Sequence, residues 1–216
     1  MPVFELNQNI IFPKPELARQ DGLLAVGGDL SPQRLLLAYT NGIFPWYSEG
    51  EPILWWSPDP RMVLFPNEFK RHKSLKKDVL SGRFEVTIDE DFHAVISACG
   101  RVSREGQDGT WITDEVRDAY IRLYEMGVAH SVEVREHGNL VGGLYGLKIG
   151  KVFFGESMFH LVTNASKVGL WHCVDWLIEE GVELIDVQQE TSHLASQGAR
   201  LISRESFLYL LVKLIT

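Results

Sequence analysis

Cysteine is scarce in this chain: 216 residues contain two, Cys99 and Cys173, far apart and in no Cys-x-x-Cys pattern. That offers neither a disulfide framework nor a cysteine zinc site, and it suits a reducing compartment, so a cytoplasmic protein is expected. The seven histidines are scattered without ligand spacing, and no metal site is read from them. Long apolar runs are missing too. The stretch 207–215 is interrupted by Lys213 and is too short to cross a bilayer. Residues 1–17 carry Glu5, Lys14 and Glu16 and do not read as a signal peptide, so a soluble protein with no membrane partner is expected. Phosphate-binding glycine signatures are also lacking. Gly22, Gly27 and Gly28 precede no Lys-Ser/Thr, and Gly142-Gly143 falls inside a strand-like run, where close packing or a turn accounts for it. Ser157 stands in no Gly-x-Ser-x-Gly elbow, which argues against a hydrolase nucleophile. Repeats and low-complexity tracts are absent.

What is present is a globular composition, 45% hydrophobic and 23% charged. It is enough for one compact domain or for a small domain packed on a larger one. The net charge of −8 argues at first against nucleic acid, but its distribution matters more than its sum. Lys70, Arg71, Lys73, Lys76 and Lys77 lie together with His72 and no acid among them; elsewhere 16 basic residues face 29 acidic ones. A solvated helix face explains such a run. An acidic body with one basic patch would also bind a polyanion at one place and repel it elsewhere.

Ser31-Pro32 reads as an N-cap followed by proline at the first helical position, with Asn41-Gly42 ending that helix. The prolines of 43–60 predict an ordered aromatic loop region rather than regular structure. Beyond it the pattern predicts a strand over 84–88, a short helix over 91–99, and a helix capped by Thr113 with an apolar stripe at Val116, Tyr120 and Leu123. A meander over 131–135, 140–149 and 152–159 follows. Next come a helix capped by Asn164 with Val168, Trp171, Val174 and Ile178 inward, a strand over 183–188, and a last helix over 205–214. Together these describe an α+β sheet covered by helices, in an order that resembles the GNAT acyltransferase fold. The loop by which that fold usually holds acetyl-CoA is replaced here by Glu156-Ser157-Met158-Phe159-His160, so no CoA cradle is read.

Two groups of residues invite chemistry. Six tryptophans are many for this length. Trp171 reads as core, whereas Trp46, Trp55, Trp56 and Trp111 lie in loops or at a helix entry. Burial suits any of these four, and so does stacking on unpaired bases beside a basic patch. Three polar residues fall where strands should be apolar: Glu156, and Asp186 with Gln188, which a strict two-residue period places on one face. A buried carboxylate needs a partner and tends towards a perturbed pKa, which marks a candidate site; a structural hydrogen-bond network or the solvent face explains the pattern equally well.

Six motifs in order carry a resemblance: 27–32 (Gly-Gly-Asp-Leu-Ser-Pro), 42–46 (Gly-Ile-Phe-Pro-Trp), 55–61 (Trp-Trp-Ser-Pro-Asp-Pro-Arg), 109–113 (Gly-Thr-Trp-Ile-Thr), 154–159 (Phe-Gly-Glu-Ser-Met-Phe) and 184–188 (Leu-Ile-Asp-Val-Gln). Together they resemble the leucyl/phenylalanyl-tRNA–protein transferase family over roughly residues 11–204. The resemblance implies a small N-terminal domain, 1–62, packed on a GNAT-like domain, 63–216. It implies transfer of Leu or Phe, with Met less favoured, from aminoacyl-tRNA to proteins beginning with Arg or Lys, which marks them for degradation by the N-end rule. By position it assigns Trp46 and Trp111 to the terminal adenosine of the tRNA and Leu144, Phe153, Met158, Leu170 and Ile185 to the pocket for the aminoacyl side chain. Glu156, Asp186 and Gln188 become the polar centre, and Lys70, Arg71, Lys73, Lys76 and Lys77 the grip on the acceptor stem. No cofactor or metal is implied, and a monomer is expected.

The donor ester is already activated, so its aminolysis asks mainly for positioning. An α-amino group of pKa about 7.7–8.0 is partly neutral without help. Asp186 is therefore expected to accept a proton or orient the amine, Gln188 to hold Asp186 and substrate in register, and Glu156 to bind the cationic acceptor N-terminus. Gln188 has no basic lone pair to act as a base. Three alternatives stay open: a CoA-dependent N-acetyltransferase, a non-catalytic tRNA-binding module, and a transferase using another aminoacyl-tRNA.

Overall fold

Side-chain caps set where most helices begin in the computed structural model, which describes residues 3–101 and 110–215. Ser31 accepts from the Arg34 N–H at the head of α1, Pro32–Thr40, and Thr113 from the Val116 N–H at the head of α4, Asp114–Glu125. Asn164 departs from this. It precedes α5, Ala165–Glu179, but sits in the left-handed region at φ 71° and caps nothing; its amide instead donates to Asp78 at 2.7 Å. Asparagine tolerates that conformation better than most residues, and the ion-dipole partner rewards it.

Two sheets organise the chain. The smaller has the order β1-β2-β4-β3, from Phe4–Leu6, Leu23–Gly27, Phe44–Pro45 and Leu54–Trp56. The expected aromatic loop of 43–60 thus contains two short paired strands. Pro45 is tolerated because β3 is an edge strand, where a missing N–H costs no ladder bond. The larger sheet has seven strands in the order β11-β5-β10-β9-β8-β7-β6. In chain order these are β5 Arg61–Leu64, β6 Glu85–Ile88, β7 Ala129–Glu136, β8 Asn139–Ile149, β9 Val152–His160, β10 Leu184–Gln188 and β11 Arg200–Ile202. The helices between them are α2 Lys73–Leu80, α3 Phe92–Arg101, α4, α5, α6 Ser192–Ser196 and α7 Arg204–Leu214. The expected α+β mixed sheet with flanking helices is what the molecule has, and the meander, the 184–188 strand and the last helix fall where the pattern put them.

Among the described residues only β9 and β10 pair in parallel within the large sheet, because α5 carries the chain back across it between them. The sheet separates two cores. Tyr145, Phe154 and Leu184 point into the one shared with the small sheet, α3, α4 and α7. Their neighbours Leu144, Phe153 and Ile185 point into the one beneath α5. Trp171 is core as expected, but Ile178, one residue before the end of α5, is 37% exposed. The Gly142-Gly143 pair in β8 is a close approach: a Cβ at Gly142 would stand 2.7 Å from the Ala165 side chain. The first turn of α5 lies directly on that strand.

Candidate active site

The parallel ladder between β9 and β10 ends at Asp186 opposite Phe154. Past that point Gln188 takes φ 64° at a bulge against β5, and the chain turns away. The parted strand ends open into a cavity of about 360 Å³. Its walls have separate characters. Leu144, Phe153, Met158, Leu170 and Ile185, the five residues expected to hold an aminoacyl side chain, all line it. Trp46 and Trp111 line it as well, both partly buried, the first edge-on to Trp56 at 5.8 Å and the second edge-on to Tyr120 at 6.4 Å. Trp55, by contrast, is wholly buried and donates to the Gly27 carbonyl at 2.8 Å. Gly109 of the 109–113 motif lies outside the described residues.

Glu156 is the hub of the polar part. Its Oε1 accepts from the Tyr39 hydroxyl at 2.8 Å and from Gln188 Nε2 at 3.0 Å, and its Oε2 accepts from the Tyr120 hydroxyl at 3.1 Å. Tyr39 and Tyr120 also touch each other through their hydroxyls. Burial pushes the Glu156 carboxyl up to about 7, although the hydrogen bonds from Tyr39, Tyr120 and Gln188 pull the other way. Burial, reinforced by the charge of Glu156, holds both tyrosines well above the usual phenol range, so they stay protonated.

Asp186 and Gln188 do not share a face. The bulge breaks the alternation between them, so Gln188 lines the cavity while Asp186 is fully buried behind it. Arg61 Nε and Nη2 donate to the two Asp186 oxygens at 2.8 and 2.7 Å. The guanidinium lies between the Phe44 and Phe207 rings at 4.8 and 4.6 Å, and Nη1 donates to the Gly42 carbonyl. Asp186 Oδ1 also accepts from the Gln188 backbone N–H at 3.0 Å. The buried pair therefore holds the bulge, and the bulge presents Gln188 to Glu156. Sequence reading missed Arg61, Tyr39 and Tyr120. Tyr120 stood out only as a member of an apolar helix stripe, although a buried phenol needs a partner and in that sense announces one.

The basic run lies on and before α2, away from the cavity. Lys70, Arg71, Lys73, Lys76 and Lys77 are all exposed. Arg71 pairs with Asp175 and lies over the Phe69 and Trp171 rings, while the four lysines form no ion pair among the described residues. No helix among the described residues is long and apolar enough to cross a membrane.

The family model for the leucyl/phenylalanyl-tRNA protein transferase matches residues 63–212, and that for its N-terminal domain matches residues 28–59. A leucyl/phenylalanyl-tRNA–protein transferase of Syntrophobacter fumaroxidans is 57% identical over 99% of this chain and 91% of its own. Another of Pseudomonas putida is 59% identical over 92% and 88%. Among solved structures, FemX superposes with a TM-score of 0.51 at 12% identity, covering 83% of this chain and 70% of that one, a likeness of fold alone. This chain belongs to the leucyl/phenylalanyl-tRNA–protein transferase family.

Proposed function

We propose that this chain carries out the aminoacyl transfer of its family in the cavity between β9 and β10, taking Leu or Phe from a charged tRNA and joining it to the N-terminus of an acceptor protein. The observation that carries the reading is the meeting of two tryptophans, five apolar side chains and the Glu156–Gln188 pair around one cavity of about 360 Å³. Stacking of the terminal adenine on Trp46 and Trp111 leaves the ester at the mouth of the apolar pocket, which accepts Leu or Phe. Met fits less distinctly, since a difference of one methylene separates ligands by only about 1–3 kcal/mol. The acceptor α-amine attacks the ester carbonyl, the C–N bond forms, the bond to the ribose oxygen breaks, and that oxygen takes up the proton the amine gives away. No cofactor enters this balance.

Gln188 orients the amine, and Glu156 fixes Gln188. Asp186 is a positioning residue: both its oxygens are held by Arg61 and it stands behind the cavity wall, so it acts through the bulge and not as a base. Acceptors beginning with Arg or Lys, a monomeric enzyme, a cytoplasmic site of action and an acceptor-stem grip by the Lys70–Lys77 run complete the proposal. The division at about residue 62 fits it, with Phe44, Pro45 and Trp46 contributed from the N-terminal side and the rest of the lining from residues 111–194. The test is incubation with tRNA charged with radiolabelled Leu, Phe, Met or Arg and a peptide beginning with Arg. Label is expected in the peptide from Leu and Phe, weakly from Met and not from Arg. Transfer from Arg alone, or acetyl transfer from acetyl-CoA in its place, would overturn the reading.

A further inference from the structure

One wall of the cavity remains unused. After the bulge, Gln189 and Thr191 line it from the segment that leads into α6, and His193 from the first turn of α6. His193 Nε2 is shielded from solvent and has no hydrogen-bond partner among the described residues. Leaving such an atom unpaired is unfavourable, so a polar atom of a ligand is the natural complement. Burial, then the nearby Lys167 and His160, disfavour the cationic imidazole, so the ring is neutral and offers one donor and one acceptor.

The surroundings choose the ligand. Lys167 and His160 are exposed, with His160 Nδ1 within 3.4 Å of Ser166 Oγ, and the Lys167 charge repels a cationic peptide N-terminus. The same α6 is joined to the basic run: His72 Nε2 lies 3.0 Å from the Ser196 carbonyl oxygen, and the Lys70 N–H donates to the Gln197 carbonyl at 2.8 Å. α6 thus stands between the basic run and the cavity wall that carries His193.

We propose that His193, with Lys167 and His160 beside it, binds the sugar-phosphate backbone of the single-stranded 3′ end of the tRNA between the basic run and the cavity. This rests on the donor being a charged tRNA. His193 donates to or accepts from a ribose hydroxyl or phosphate oxygen of the nucleotides preceding the terminal adenosine, while Lys167 supplies charge.

Uncharged tRNA tests the contact without any transfer. His193→Ala is expected to weaken its binding about 3- to 10-fold, the usual effect of one hydrogen bond, and His193→Gln to restore part of it. Lys167→Glu should weaken it too and flatten the salt dependence by about one unit of slope. In transfer assays the KM for charged tRNA should rise with kcat unchanged. The KM for aminoacyl-adenosine, which lacks the preceding nucleotides, and the KM for the acceptor peptide should hold. Unchanged tRNA binding in both His193→Ala and Lys167→Glu overturns the proposal. Equal losses with both donors overturn it as well, placing His193 against the aminoacyl-adenosine; so does a rise in acceptor KM alone. Should His193→Ala melt early, the exposed Lys167→Glu carries the decision. A parent enzyme that binds tRNA but transfers nothing would refute the proposed function and leave this contact standing.

Discussion

At Glu156 the fold and the proposed reaction meet in one side chain. Its folded value near 7 stands above an ordinary 4.5, so between those values the folded protein holds a proton that the unfolded chain has lost. Stability therefore falls as pH rises through that window, on the order of 1 kcal/mol per pH unit, and is fully present below it. Glu156→Gln keeps a neutral amide among Tyr39, Tyr120 and Gln188 and removes the titration. Thermal melts from pH 4.5 to 7.5 should show the parent losing stability relative to this variant; parallel curves would mean that Glu156 is not protonated in the fold. Met158 belongs to the same scale. It is only partly buried and lines the cavity, so Met158→Ala should lower kcat/KM for Leu and Phe donors by about 1–3 kcal/mol in transition-state terms with little change in melting temperature. A collapse in melting temperature would make Met158 core and dismiss it from the pocket.

Among the elements, the bulge at the end of β10 matters most. Regular alternation would have placed Gln188 beside Asp186; the positive φ at Gln188 separates them, and the Arg61–Asp186 pair holds the backbone there. Asp186→Asn leaves the Arg61 charge buried without its counterion, which costs about 3–5 kcal/mol, so this variant loses stability as well as activity. Replacing both partners, as in Arg61→Met with Asp186→Leu, should recover most of that stability, because a buried ion pair exchanged for apolar volume is often neutral. Activity should stay low, since the Gln188 N–H has lost its acceptor. Denaturant melts and kcat measured together decide: a double variant that is both stable and active would show that the pair has no part in presenting Gln188.

At the scale of the whole molecule, the proposed grip on a polyanion falls to one short basic run on an acidic body. Lys73→Glu with Lys77→Glu should raise the KM for charged tRNA and flatten its salt dependence, because fewer counterions are released on binding. A minimal donor without the acceptor stem should be affected little. Equal loss with both donors would remove the run from tRNA binding. The exposure of all four lysines, free of ion pairs among the described residues, is what leaves their charge available.

Helix starts at Ser31 and Thr113, the meander, and the apolar stripes were legible in the sequence because caps, turns and periodicity act within a few residues of themselves. The motifs identified the family, and with it the five pocket residues and two tryptophans that meet around the cavity. What the sequence left undetermined depends on partners distant in the chain. Tyr39 and Tyr120 reach Glu156 across 117 and 36 residues, and Arg61 reaches Asp186 across 125. Local patterns tell whether a side chain is buried, but the partner of a buried polar group is chosen by the packing of whole elements. Tertiary structure alone therefore placed Gln188 at the cavity, put Asp186 behind it, and raised the pKa of Glu156 by burying it.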